Sequence, residues 1–168
     1  MTPQELSQRR VKDMRAKAYY DMIALNEGYK PQVYRDSEGN RTIGIGFNLE
    51  EKTNRKFLKE QGIDINELFK GRELSDKEIK TLYNHSLSQA YTDARKFDPK
   101  FDKRPEGVKM ALTDMSFNLG LTKLNEFEKM GEALQNDDYR TAAVEAQDSD
   151  WFKQVKTRGP RTVSLFNK

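Results

Sequence analysis

Hydrophobic periodicity changes character once along these 168 residues, and that change limits the folds open to the chain. Between Val33 and Phe47 the sequence runs VYRDSEGNRTIGIGF, in which Ile43, Ile45 and Phe47 alternate with glycines. Period two is the signature of a strand with one buried face. Elsewhere apolar residues recur at three- and four-residue steps, the signature of amphipathic helices. One small β patch among many helices predicts an α+β fold that is mainly helical.

Val11, Met14, Ala18, Met22 and Leu25 mark a helix over residues 8–27, with Gly28 as its stop. Residues 33–36 and 41–47 read as the strands of a hairpin that turns through Ser37, Glu38, Gly39 and Asn40. A short helix fits residues 50–60. Ser75-Asp76-Lys77-Glu78 is a capping box. It opens a long helix with Ile79, Leu82, Tyr83, Leu87, Ala90, Tyr91, Ala94 and Phe97 on one side, closed by Asp98-Pro99. Residues 105–119, ended by Gly120, form the most apolar helix, which is expected at the centre of the core. Helices over 126–134, 139–147 and 159–166 complete the set. No internal repeat or low-complexity linker interrupts the chain, so residues 1–168 read as one domain. Its expected parts are a small α+β lobe over about 26–74, a connecting helix over about 76–97, and a helical lobe over about 98–168 that includes the N-terminal helix.

Hydrophobic residues make up 35% of the chain against 34% charged, a balance that alone would suit a disordered polymer. Seven Tyr, nine Phe and one Trp supply the bulk a core needs and exclude that reading. Thirty basic residues against 27 acidic ones leave a formal charge of +3. That excess is too small to imply a nucleic-acid partner, but it suits a mildly anionic surface. With no cysteine, the chain has no disulfide, thiol nucleophile or cysteine-ligated metal. No run approaches the roughly 18 apolar residues of a membrane span. The segment MTPQELSQRRVKDMRAKAYY lacks the apolar stretch of a secretion signal, so the expected location is the cytoplasm, without stable membrane insertion.

Two carboxyl groups stand in contrasting places. Glu27 ends the first helix, where the negative end of the dipole favours the protonated acid. Asp36 opens a turn rich in backbone N–H groups, which favour the carboxylate. Two acids driven apart in this way form an acid/base pair, the arrangement glycoside hydrolysis uses. A helix cap and a solvated turn would use the same residues, and spacing alone leaves both readings open.

Other chemistry is thinner. His85, the single histidine, lies mid-helix with neither a second histidine nor a cysteine to share a metal, and reads as an ordinary helix residue. Gly44 and Gly46 lack the third glycine and following helix of a dinucleotide fingerprint, so they are strand features. No serine has the surroundings of a hydrolase nucleophile. The C-terminal WFKQVKTRGPRTVSLFNK contains no acid but holds Lys153, Lys156, Arg158, Arg161 and Lys168. It is either a solvated face or an anchor for an anionic polymer.

The spacing Glu27-Gly28 … Tyr34-Arg35-Asp36 … Gly39 … Thr42-Ile43-Gly44-Ile45-Gly46 resembles the catalytic signature of the phage-type lysozymes, glycoside hydrolase family 24. Ala111-Leu112-Thr113-Asp114-Met115-Ser116-Phe117-Asn118-Leu119-Gly120 is similar to the family's central-helix motif. Ala142-Ala143-Val144, Trp151-Phe152-Lys153-Gln154 and Arg158-Gly159-Pro160-Arg161 are similar to its C-terminal block. Together these cover the chain from about residue 17 to its end. The resemblance implies a lysozyme-like fold in which a small hairpin lobe and a helical lobe are joined by the long helix. It implies Glu27 as general acid, Asp36 as the carboxylate that activates water, and Thr42 as its helper. It also implies inversion, for which the two carboxyls stand roughly 6.5–9.5 Å apart. Asn48, Phe117, Asn118 and Arg158 are the expected substrate-binding residues, with Arg158 beside Glu27. No metal or cofactor is implied.

The chain departs from the family at Phe47, where a histidine is common, and at Ser86, where an acid can partner it. Met130 and Glu145 do not match the type member, and about fifteen N-terminal residues have no counterpart there. The function implied is cleavage of β-1,4 bonds between N-acetylmuramic acid and N-acetylglucosamine in bacterial peptidoglycan, for host lysis by a phage. The enzyme would be a monomer needing a separate membrane-permeabilising protein to reach the wall. Alternatives are a virion-associated or bacteriocin-like wall hydrolase, a lytic transglycosylase and a non-catalytic wall-binding module. A transglycosylase needs no water-activating Asp, and a binding module would tolerate loss of Glu27.

Overall fold

A computed structural model of the chain describes Thr2, residues 17–18 and residues 20–168. Two compact units divide at Ser86 and Leu87. In the first, a helix over residues 20–27 (α1) leads into three strands, β1 (Lys30–Arg35), β2 (Arg41–Gly44) and β3 (Phe47–Asn48). They pair antiparallel in the order β1-β2-β3. The short helices α2 (Lys52–Glu60) and α3 (Ile65–Phe69) follow, and then the long α4 (Asp76–Phe97), within which the division falls. A 3-10 turn, Phe101–Lys103, precedes α5 (Glu106–Leu124), α6 (Glu128–Gln135), α7 (Tyr139–Gln147), α8 (Asp150–Gln154) and α9 (Arg158–Leu165). The chain is thus mainly helical with one small sheet, as its periodicity predicts. Among the described residues no helix is long and apolar enough to cross a membrane.

The first helix needs correction. Val11 and Met14 lie outside the described residues, as do residues 8–10, 12–13, 15–16 and 19 of the expected span. Of the rest of the expected stripe, Leu25 is 68% exposed, Ala18 is exposed and Met22 is half-buried. The inward side is one step over, with Ile23 fully buried and Tyr20, Ala24 and Glu27 partly so. Those positions follow the i, i+3, i+4, i+7 rule. Tyr83 of α4 selects this face: its hydroxyl donates to the carbonyl of Tyr20 at 2.8 Å, and the two rings meet edge to face at 4.4 Å. The consequence is chemical, because the rotation turns Glu27 inward.

The expected strand over 41–47 is broken. Thr42 pairs with Asn48 and Ile43 with Phe47, so the chain reverses through Gly44, Ile45 and Gly46. Gly44 and Gly46 have φ of +67° and +63°, which a side chain would resist, and they make the reversal possible. Ile43, Ile45, Phe47 and Leu49 are all buried there, together with Leu58, Leu68, Ile79 and Leu82. The capping box forms as expected: Ser75 N–H donates to Glu78 at 2.9 Å and Glu78 N–H to Ser75 at 3.1 Å.

In the second unit α5 is buried chiefly in its first half, at Gly107, Val108 and every residue from Ala111 to Ser116. The backbone leaves helical geometry at Gly120 (φ 76°, ψ 168°), where the sequence places the end of the helix, and helix then resumes to Leu124. Periodicity does not reveal α3 or α8, each only five residues long and started by a polar cap. Asp64 accepts from Asn66 N–H, and Ser149 from Phe152 N–H. Arg104, 4% exposed, grips Asp98 through Nε at 2.8 Å and Nη2 at 2.9 Å and reaches Asp137 at 2.6 Å, tying the end of α4 to the loop before α7.

Gly107 gives this packing a test. A Cβ there would lie 2.2 Å from the carbonyl oxygen of Leu165, a backbone atom with little freedom to withdraw. Helix propensity alone makes Gly→Ala stabilising by about 1 kcal/mol. We expect Gly107→Ala instead to destabilise by about 2 kcal/mol in denaturant unfolding. A neutral or stabilised variant would show that α5 and α9 do not approach this closely.

Candidate active site

Glu27 is the last helical residue of α1, and Gly28 N–H closes the turn on the carbonyl of Ala24 at 2.9 Å. Its carboxylate lies directly against Gly46. A Cβ on residue 46 would sit 2.6 Å from Oε2 and 3.0 Å from Cδ of Glu27. The second glycine of the IGIG stretch therefore serves two needs, a left-handed turn and space for an acid.

Asp36 follows β1 and organises the turn around its own charge. Its Oδ1 accepts from Glu38 N–H at 2.9 Å and from Asn40 N–H at 2.8 Å, while Oδ2 meets the Asn40 amide at 3.4 Å. Backbone bonds from Asp36 N–H to Asn40 at 2.9 Å and from Gly39 N–H to Asp36 at 3.0 Å close the loop. Arg35 adds a 2.8 Å bond to the carbonyl of Gly39. Thr42, 2% exposed, donates its hydroxyl to the carbonyl of Asn40 at 3.0 Å. The residue types are those of an Asx turn feeding a strand.

The ladder sets these groups in a row. Tyr34 is opposite Thr42, and Thr42 is opposite Asn48, so the three share one face of the sheet. Period-two alternation sends Asp36 to the same side as Tyr34. The Tyr34 phenol is pushed up to about 12, first by burial, then by the negative charges of Glu27 and Asp36. Both carboxylates thus act on one hydroxyl. Tyr34 has no assigned role in the sequence reading, although its position two residues before Asp36 was signal enough. Asn48 is partly committed: its Oδ1 caps Glu50 N–H at 2.8 Å and its carbonyl accepts from Asn54 at 2.9 Å.

Phe117, Asn118 and Arg158 belong to the second unit. Phe117 is half-buried, and the exposed Asn118 accepts from the Trp151 indole at 3.1 Å. Arg158 is only 6% exposed, with Nε 3.1 Å from Oδ2 and Nη2 2.6 Å from Oδ1 of Asp114. Thr162 donates to the same carboxylate at 2.6 Å. Asp114 is the residue that motif matching quoted without a role. A lone acid inside an apolar helix was the clue, since a buried charge needs a partner. The C-terminal basic segment is consequently not one uniform face. Arg158 is buried, whereas Lys153, Lys156, Arg161 and Lys168 are exposed on two short helices and their flanks. His85 stacks on Phe57 at 3.8 Å, a packing role that agrees with the sequence reading.

A family model described as phage lysozyme matches residues 24–167. Two curated relatives from Dictyostelium discoideum, probable T4-type lysozyme 2 and probable T4-type lysozyme 1, are each 28% identical to this chain. The alignments span 156 and 163 residues, covering 87% of this chain and 91% of each relative. The pre-baseplate central spike protein Gp5 of Enterobacteria phage T4 is 27% identical over 156 residues. There the match covers 87% of this chain but 27% of the relative.

Tyr34 reports on the carboxylates. Its folded value of about 12 lies above the ordinary 10, so folding favours the neutral phenol. This group's contribution to stability is complete below pH 10 and is lost as pH rises through about 12. Difference titration against Tyr34→Phe, read by tyrosinate absorbance, should show the Tyr34 value fall in both Glu27→Gln and Asp36→Asn. No movement in either variant would place the carboxylates away from the phenol.

Proposed function

The chain belongs to the phage lysozyme family, and from that premise we propose that it is a muramidase. Its substrate is bacterial peptidoglycan, cut by hydrolysis at the β-1,4 bond between N-acetylmuramic acid and N-acetylglucosamine with inversion. One observation carries the reading. Glu27 is seated against Gly46 and Asp36 is fixed by two backbone N–H groups, both around Tyr34.

In this mechanism Glu27 protonates the glycosidic oxygen while water attacks the anomeric carbon from the opposite face. Asp36 Oδ1 is occupied by two N–H donors, and Oδ2 has only the 3.4 Å amide contact, which leaves it able to accept a proton from water. The Thr42 proton is committed to the Asn40 carbonyl, so toward water this hydroxyl acts as an acceptor. Two acceptors holding the two hydrogens of one water leave its lone pair directed at carbon. Asn48, Phe117, Asn118 and Arg158 are the proposed sugar-binding residues, Arg158 through the backbone it supports as well as its charge.

The biological setting proposed is host lysis by a phage. The enzyme is a monomer in the host cytoplasm that reaches the wall after a separate protein permeabilises the membrane. The similarity to a phage spike protein supports a second setting, action from the virion. Assaying purified particles for the chain separates the two, since only the second requires its presence there.

Glu27→Gln should lower wall lysis by about 10²–10⁴-fold with an unchanged circular dichroism spectrum, because an amide cannot donate the proton. Asp36→Asn should be similarly severe, and His85→Ala should stay within a few-fold. New reducing N-acetylmuramic acid ends are the expected product; 1,6-anhydro ends, or a Glu27→Gln variant that lyses normally, would reject the assignment.

Salt provides a separate measurement. Exposed Lys153, Lys156 and Lys168 draw the enzyme to an anionic wall, an attraction screened over about 10 Å at 0.1 M salt. Wall lysis should fall steeply as salt rises, and cleavage of a neutral soluble oligosaccharide much less. Changing the three lysines to Gln should flatten the wall profile. An unchanged slope would make this segment an ordinary solvated face.

A further inference from the structure

Glu27 leaves its helix through Gly28, and the residues just beyond run beside the segment that leads into α4. Gln32 Nε2 donates to the Gly71 carbonyl at 3.5 Å, and Leu74 N–H donates to the Pro31 carbonyl at 2.9 Å. The Tyr29 hydroxyl donates to Oδ1 of Asp76. The ties advance stepwise toward Glu27, with residues 32, 31 and 29 meeting residues 71, 74 and 76 in turn. The other end of α1 is held on the same long helix, since Tyr83 donates to the Tyr20 carbonyl at 2.8 Å. Glu27 therefore stands between two attachments to α4, one at Tyr20 and one at Tyr29.

The attachment at Tyr29 falls on an exposed bend. Tyr29 is 51% exposed and Leu25 68%. Gly28 has φ of +80°, and among the described residues a Cβ there would meet no atom beyond its chain neighbours within 4 Å. A segment with so little burial opens locally at low cost unless a polar contact closes it. Asp76 is a firm anchor for such a contact, because it opens α4 inside the capping box of Ser75 and Glu78. The Tyr29 phenol is pushed up to about 12, first by its hydrogen bond to Asp76.

We propose that Tyr29 and Asp76 form a clamp that positions Glu27 for proton transfer. The inference rests on the muramidase reading and adds two positioning residues to it. Tyr29 is two residues from Glu27 across a bend that glycine leaves free, so movement of the bend passes into the backbone that carries the acid. Asp36, at the far end of β1, is fixed independently by its own turn. Misplacing a reacting group by about 1 Å can cost as much as 10²-fold in rate. The clamp accordingly acts on turnover rather than on sugar binding.

Tyrosinate absorbance tests the contact itself. The Tyr29 phenol, assigned by difference against Tyr29→Phe, should titrate near 12 in the parent and move down toward its ordinary value of about 10 in Asp76→Ala. Kinetics on a soluble oligosaccharide test the role. Tyr29→Phe and Asp76→Ala should each lower kcat about tenfold with KM within about twofold and an unchanged circular dichroism spectrum. The double variant should also lie about tenfold below the parent, because both changes remove one contact. Asp76→Asn keeps an acceptor oxygen and should retain most of kcat. A Tyr29 titration unmoved by Asp76→Ala overturns the clamp and leaves the muramidase reading standing. Parental kcat in Tyr29→Phe does the same, as does a loss confined to KM, which would put the phenol on the sugar. A double variant about hundredfold down would make the two residues independent and also overturn it. Asp76→Asn as impaired as Asp76→Ala would replace the hydrogen bond with a role for charge alone. A parent that cleaves no glycan while its Tyr29 titration still shifts would remove the muramidase reading, and the clamp's role with it, but leave the contact.

Discussion

Glu27 occupies the space that a side chain on residue 46 would need, and much of the first unit is arranged to keep that space open. The approach requires glycine at 46, a chain reversal through residues 44–46, and a helix rotated so that its last residue faces inward. The rotation depends on Tyr83, buried in α4, which bonds the backbone of α1. The reversal depends on the apolar side chains of Ile43, Ile45 and Phe47, which anchor both arms of the turn in the core. The turn is thereby anchored to the core on both sides of Gly44 and Gly46. Positioning of this kind suits the general-acid role proposed for Glu27, since such a proton must meet the leaving oxygen in one geometry.

Asp36 is held by different means. Its turn is short, polar and solvated, and the carboxylate itself supplies the acceptor around which the backbone folds. The acid is thus both a structural member of its loop and a charge presented beside Thr42. Removing the charge would loosen the turn as well as remove the base proposed for water, so the proposed chemistry and local order are coupled at this residue. At Glu27 the carboxylate lies against Gly46, while the helix is closed by Gly28 N–H on the carbonyl of Ala24.

The second unit commits charge to its interior. Asp114 is fully buried and is met by Arg158 and Thr162; Asp98 is met by Arg104. Such pairs add little net stability, because desolvation offsets most of their attraction, but breaking one strands a charge at a cost of about 3–5 kcal/mol. They are better understood as registers. Arg158–Asp114 fixes the start of α9 on the centre of α5, and Gly107 allows the far end of α9 to close on the beginning of the same helix.

Local patterns in the sequence determined most of the elements. The capping box at Ser75, the Asp98-Pro99 stop and the span of α7 are written in neighbouring residues, because caps and proline act over one helical turn. The spacing of Glu27, Asp36 and Thr42, read beside the family resemblance, pointed to acid/base chemistry before any geometry was known. Local pattern could not choose which side of α1 faces inward, since two adjacent stripes offer similar apolar spacing and only contact with Tyr83 separates them. Nor could it show that residues 41–47 reverse direction, because alternation looks alike in one strand or two. Partners distant in sequence decided the rest: Arg158 with Asp114, the Glu27 carboxylate on Gly46, and Tyr29 on Asp76. A charge or a missing Cβ has no visible partner in a linear chain, and its meaning arises only when folding brings the other half within a few ångströms.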